Sequence, residues 1–268
     1  MTYSPFQPTL TNTGQGALGL DVLLSAPEER LASSVFAFVQ VQVKQPTVYP
    51  IVPDGTNILF FSPCRQSFGG TQQSILEVPL TMARGEYFGI WFYPGAMRRF
   101  FNVDISEVTN QVQGLDFFSE ASLPNLGEQL YACKNFSERI ALCETLLLKR
   151  VMDRPLSAKF TAALSAIYQS YGQCSVKRMA ETIGWSHRHL NRQFLLHTGL
   201  TVKAFAQTVR MNEYLKRCYQ QVSRPLHHGL DLGFYDHSHL IKTIKQHNLD
   251  GLSPTAKVAM SSFYNPSN

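Results

Sequence analysis

The segment Gly184-Trp185-Ser186-His187-Arg188-His189-Leu190-Asn191-Arg192-Gln193-Phe194 returns in altered form fifty residues later. Gly184-Trp185-Ser186 is echoed by Gly233-Phe234-Tyr235-Asp236, Leu190 and Phe194 by Leu240 and Ile244, and Gly199-Leu200-Thr201 by Gly251-Leu252-Ser253-Pro254. A repeat of this length restricts the second half of the chain to two related supersecondary units. Each copy reads as a supporting helix, a glycine turn and a second helix. Ser186 and Asp236 are residue types that cap helices by accepting a bond from the first free N–H groups. Leu190 and Phe194 stand four apart and share one face. The pattern predicts two helix-turn-helix units joined by a long helix over Thr201–Gln221.

The exposed faces follow from the turn of about 100° per residue. With Leu190 and Phe194 buried, Arg188, Asn191, Arg192 and Leu195 project outward, His187 sits at the helix start and His189 points sideways. In the second copy Ser238, Ile241, Lys242 and Lys245 face outward, with His237 at the start. Arginine and asparagine match base edges in the major groove, whereas lysine and serine suit phosphates or looser contact. The first copy is therefore the expected stronger reader of double-stranded DNA. Its supporting helix has Val176, Met179, Ala180 and Ile183 on one face. The second support, Leu226–Leu232, is weaker, because Gly229 costs helix stability and Pro225 restricts the start.

Charge supports a polyanion partner for one end. Residues 1–135 hold 7 Lys and Arg against 11 Asp and Glu, while residues 136–268 hold 17 against 8, so net charge passes from −4 to +9. A basic helical half also suits an acidic protein partner. Sequence selection of DNA separates the two, since an acidic-protein binder shows no base preference.

The first portion reads as β. Val39, Val41 and Val43 alternate with polar neighbours, Pro53-Asp54-Gly55 marks a turn before Ile58–Phe61, and Tyr87–Tyr93 is a strand ended by Pro94-Gly95. Short strands between such turns predict a small antiparallel barrel or sandwich. A short helix is expected to start in Gly95–Phe101. Phe36, Phe38, Phe60, Phe88, Trp91 and Phe92 fill the core or line an apolar effector pocket, and core is the favoured reading for most. Helices are expected over Ser137–Met152, with Ser137 as N-cap, and over Lys159–Tyr171. Leu142, Leu146 and Leu147 of the first suit a dimer interface or packing between the domains. The expected division is a β domain over 1–125, a helical linker over 126–157 and a DNA-binding domain over 158–268.

An enzyme finds little chemistry here. All eight histidines lie between His187 and His247, so a β domain in residues 1–135 has no imidazole for metal binding or base catalysis. His187 and His189, like His237 and His239, are two apart on a helix and point about 200° away from each other, so neither pair grips one metal ion. No catalytic residue, metal site or cofactor is assigned. Five scattered cysteines without a C-x-x-C pair suit a reducing compartment. The start Met-Thr-Tyr-Ser-Pro-Phe has no basic stretch before an apolar core, so no signal peptide is visible. No apolar run approaches membrane-spanning length, and the expected location is the cytoplasm.

These motifs together resemble the AraC/XylS family of bacterial transcription regulators. The resemblance rests on Ser186-x-Arg188-x-Leu190-x-Arg192-x-Phe194, then Gly199-x-Thr201, Phe205 and Arg210, then Gly233-Phe234-x-Asp236-x-Ser238 and Gly251-x-Ser253-Pro254, and covers about Lys159 to Val258. It departs at Gly229, where the family has alanine, at Ile244, where it has phenylalanine, and at Lys257-Val258, where it has Tyr-Arg. The resemblance implies two recognition helices in successive major grooves, about 34 Å apart, and an activator that recruits RNA polymerase. A weaker similarity, through Pro53-Asp54-Gly55 and Phe92-x-Pro94-Gly95-Ala96, implies a cupin-like sensor domain that binds a small-molecule effector or mediates homodimerisation. The expected architecture is thus α+β: an N-terminal antiparallel β-barrel, then an all-α domain.

Overall fold

A computed structural model of the chain describes residues 3–81, 85–115, 125–151, 155–220 and 225–247. The chain is α+β, with an N-terminal antiparallel sheet region and a C-terminal helical region. A helix α1 (Asn12–Leu18) precedes β1 (Leu20–Ser25), β2 (Val35–Val43), β3 (Thr47–Ile51), β4 (Asn57–Ser62), β5 (Arg65–Gly69), β6 (Leu76–Leu80), β7 (Glu86–Phe92) and β8 (Val112–Gly114). Six strands form one sheet in the order β1-β2-β7-β4-β5-β8, and β3 pairs with β6 as a separate ribbon.

The expected barrel does not close. Among the described residues β1 pairs only with β2 and β8 only with β5, so the large sheet has two edges. The ribbon takes the place of a closing seam. The period-two pattern then sorts the aromatic residues onto two faces. Phe38, Phe61, Phe68, Phe88 and Phe92 are fully buried on one face, in a core completed by α2 (Leu126–Ala132) and α3 (Phe136–Arg150) through Leu126, Leu130, Cys143 and Leu147. Val39, Val41 and Tyr87 face the other way, towards α1 and the ribbon residue Leu80.

The α3 helix starts earlier than the sequence suggests. Asn135, not Ser137, is the N-cap, and its side chain accepts from the Glu138 N–H. The helix ends at Arg150 rather than Met152. Its leucines are spent within the chain: Leu147 is fully buried, and Leu142 and Leu146 pack against the sheet core. The expected helix at Gly95–Phe101 is a single 3-10 turn over Met97–Arg99.

The helical region holds α4 (Ala158–Gln169), α5 (Val176–Ile183), α6 (His187–Thr198), α7 (Val202–Gln220), α8 (Pro225–Asp231) and α9 (His237–Gln246). Nineteen residues make α7 about 28 Å long at about 1.5 Å per residue. Its N-terminal half contributes Val202, Phe205, Ala206 and Val209 to a core with α4, α5 and α6. Its C-terminal half contributes Met211, Tyr214, Leu215 and Cys218 to a second core with Leu232, Phe234 and Leu240. One helix is therefore a wall of both cores.

The two regions are packed together. Val52 and Ile75 of the sheet region belong to the second helical core. A 3-10 turn over Ile105–Val108 lies against the end of α6, where the Thr109 hydroxyl donates to the Gly199 carbonyl at 3.1 Å. The N-terminal stretch is wedged in the same seam. Tyr3 stacks on Tyr168 at 4.4 Å, and the Asn212 side chain both accepts from the Phe6 N–H and donates to its carbonyl, each at 2.9 Å.

Candidate nucleic-acid interface

The first helix pair is α5 and α6. Ser175 caps α5 by accepting from the Arg178 N–H, and Gly184 ends it with a left-handed φ of 69°. Only glycine takes that conformation without strain. The second pair, α8 and α9, turns at Gly233 with a φ of 74°. Ser186 and Asp236 then cap α6 and α9, accepting from the His189 N–H and the His239 N–H respectively, at matching positions. The repeat seen in the sequence is thus a repeat of backbone shape.

Behind α6, Leu190 and Phe194 are fully buried, and Phe194 meets Phe160 and Phe205 edge-on at 5.0 and 5.5 Å. In front, His187, Arg188 and Arg192 are exposed, and Leu195 is 37% exposed. Arg192 donates to the His189 ring at 3.2 Å, and that ring meets Trp185 edge-on at 4.7 Å. The front is therefore two exposed guanidiniums, that of Arg192 resting against a small aromatic shelf.

Asn191 is placed differently from the arginines. It is half-buried, and its Oδ1 accepts the Val202 N–H at 3.1 Å, which caps α7. Its Nδ2 lies 3.3 Å from the His187 ring. An asparagine needs both its oxygen and its nitrogen to grip adenine. Asn191 cannot do so while it holds α7. Sequence spacing put it on the outward face, and no pattern in the sequence reveals this second commitment.

On α9, Ser238, Lys242 and Lys245 are exposed and Ile241 is 36% exposed, while Leu240 and Thr243 are buried. The outward face matches the sequence reading. His237 opens the helix, and its side chain lies outside the described residues. So do Gly251-Leu252-Ser253-Pro254 and Lys257-Val258. Gly229 has a local reason: a Cβ there would come within 2.9 Å of Leu240 Cδ2, so its loss of helix propensity allows α8 to approach α9 closely.

A second feature lies in the sheet region. A cavity of about 420 Å³ sits between the ribbon and the open face of the large sheet, lined by residues that include Val39, Val41, Ile58, Phe60, Tyr87 and Trp91. Of the six aromatic residues singled out in the sequence, Phe60 and Trp91 line it; Phe38, Phe88 and Phe92 fill the opposite core. Val52, Pro53, Asp54 and Thr56 form part of the wall. Trp91 Nε1 donates to Thr56 at 2.6 Å, and Asp54 accepts from Thr56 and from Gln7. Burial pushes the Asp54 carboxyl up, and the bonds from Thr56 and Gln7 oppose that shift. The same stretch faces the helices: the Pro53 carbonyl accepts from Asn212, and Phe205 lies over Gly55.

Among the described residues no group of three His, Cys, Asp or Glu is placed to hold a metal ion. None of the described helices is long and apolar enough to cross a membrane.

Residues 25–113 match the model of a domain of unknown function, DUF6597. A stretch of 62 residues is 36% identical to an uncharacterized HTH-type transcriptional regulator, YbfI, of Bacillus subtilis (strain 168). That alignment spans 23% of this chain and 22% of the relative. The HTH-type relative agrees with the resemblance to AraC/XylS regulators read from the sequence. The described residues among the motifs identified above fall on α6, α7 and α9 and around the two matching turns. The crystal structure of ToxT from Vibrio cholerae O395 covers 90% of this chain and 96% of its own length, with 8% identity and a TM-score of 0.41.

Proposed function

We propose that the chain is a sequence-specific DNA-binding transcription regulator in which α6 is the main base reader and α9 the weaker one. The observation that carries this reading is the front of α6: exposed Arg188 and Arg192 on a helix whose back, Leu190 and Phe194, is fully buried. Such a helix presents rigidly held guanidiniums, the side chains that pair bidentately with guanine. On α9, Ser238, Lys242 and Lys245 take phosphates, Ile241 offers an apolar contact for a thymine methyl, and His237 stands at the helix start. His187 adds a contact at the start of α6. Asn191 holds α6 to α7 and has an N–H to spare for a base or phosphate. Both helices come from one chain, so one molecule spans two successive grooves.

The finer reading is an activator, through contact with RNA polymerase, governed by an effector in the sheet region. The cavity supports the effector, because its wall residues Val52 and Pro53 also meet α7. The α3 leucines are already used on the sheet core, so a homodimer would need another surface.

Selection from a random DNA pool with the full chain tests the central reading. A single enriched motif with two parts about one helical turn apart is expected. Equal retention of all sequences contradicts it and favours the acidic-protein binder. Native mass spectrometry of the purified chain tests the effector: a bound small molecule that a bulky Val39→Phe change removes is the expected result.

A further inference from the structure

We infer that Arg210, together with Gln173, fixes how the two helix pairs are set relative to each other, and so sets the half-site spacing the chain accepts. This rests on the DNA-binding reading and deepens it: Arg210 is a positioning residue, not a DNA contact.

Arg210 lies in the middle of α7, between the stretches that wall the two cores. Its Nη2 donates to the Gly172 carbonyl at 2.5 Å and its Nη1 to the Gly233 carbonyl at 3.5 Å. Gly172 precedes α5; Gly233 is the turn between α8 and α9. The guanidinium thus joins the base of the first pair to the turn of the second. It also lies over the Phe234 ring, 5.8 Å from its centroid. Gln173 adds a second link, donating to the Asp231 carbonyl at 3.2 Å and packing on Gly233.

The electrostatics argue that this link serves geometry rather than stability. Arg210 is half-buried, its Nε is buried without a partner, and among the described residues no carboxylate pairs with it. Burial holds its pKa below the usual arginine range. An apolar side chain would fill such a seam at lower cost. What it would lack is a rigid fork of donors that reaches two carbonyls at once. The two cores set how far apart the helix pairs stand along α7. They leave the swivel of one pair about α7 to side contacts, and Arg210 and Gln173 are the ones that join it to the base of the first pair. On DNA, one inserted base pair moves a half-site by about 3.4 Å and about 34°, so swivel decides which spacing fits.

The test uses the full chain and the duplex that the wild type enriches from a random pool. Versions with one and two base pairs inserted between its two parts are compared by fluorescence anisotropy. The wild type is expected to lose at least about tenfold in affinity per insertion, and Arg210→Met less than about threefold, with weaker binding to the uninterrupted site. Arg210→Met keeping the wild-type penalty overturns the proposal. Amide hydrogen exchange reads the link without DNA: faster exchange from Leu232 through α9, with α5 and α6 unchanged, is expected in Arg210→Met. Unchanged exchange overturns the link itself. A pool that yields no enriched sequence instead overturns the DNA-binding reading. Should Arg210→Met fail to fold, Gln173→Ala, which leaves both cores intact, is expected to shift exchange and spacing penalty in the same direction by a smaller factor. Gln173→Ala indistinguishable from wild type in both then counts against the proposal.

Discussion

At the scale of single residues, the front of α6 divides into groups that are exposed and one that is committed to a neighbouring helix. Arg188 and Arg192 are exposed and project from a buried back. Alanine at either is expected to weaken binding to the enriched DNA by about 1–3 kcal/mol, with unfolding stability changed by less than about 0.5 kcal/mol. Asn191→Ala should show the reverse emphasis, because removing the cap on Val202 costs about 1 kcal/mol of stability. Anisotropy titrations and urea unfolding on the same three variants check both statements. Lys242→Ala is expected to weaken binding evenly across sequences and to reduce the salt slope by about one. A loss confined to one base position would instead assign Lys242 to direct readout. The arginines were legible in the sequence, since helical spacing alone sends them outward. Asn191 was legible only in part: spacing places it, but the N–H it caps belongs to another helix eleven residues on.

At the scale of elements, the helix pairs stand on caps, turns and a few large aromatic residues. Phe194 meets both Phe160 and Phe205, so Phe194→Ala should cost about 3–5 kcal/mol. Ser186→Ala, which removes only the α6 cap, should cost about 1 kcal/mol. Urea midpoints separate the two, and near-equal losses would mean that the first core relaxes around the missing ring. The helix pairs were readable because their signals are local: a glycine at the turn, a cap, and apolar residues four apart. The sheet was readable strand by strand but not in its closure. Which strands pair depends on contacts far apart in the chain, and the sequence of β3 and β6 does not say that they leave the large sheet. The start of α3 was missed for a smaller reason, since Asn135 and Ser137 are both capping types and only the Glu138 N–H distinguishes them.

At the scale of the whole molecule, the seam between sheet and helices carries its own pH response. His197 sits against Phe160 at 4.6 Å, and burial, with Arg98 nearby, holds its imidazole down to about 4 from 6.5. Burial lowers His247 as well. Both groups take up a proton more readily in the unfolded chain. Stability is therefore fully present above about pH 6.5 and declines as pH falls towards 4, where the His197 contribution levels off. The urea midpoint is expected to fall between pH 7 and pH 5 more in the wild type than in His197→Gln. Equal slopes would place the pH response elsewhere. The other large-scale feature is α7. Its faces reach two cores, the neighbouring sheet region and the turn at Gly233, so it offers little room for variation. Arg188 and Arg192 on α6 and Lys242 and Lys245 on α9 are exposed instead. A lineage built on this plan can rewrite what it recognises by exchanging a few surface side chains, and the scaffold that aims them need not change at all.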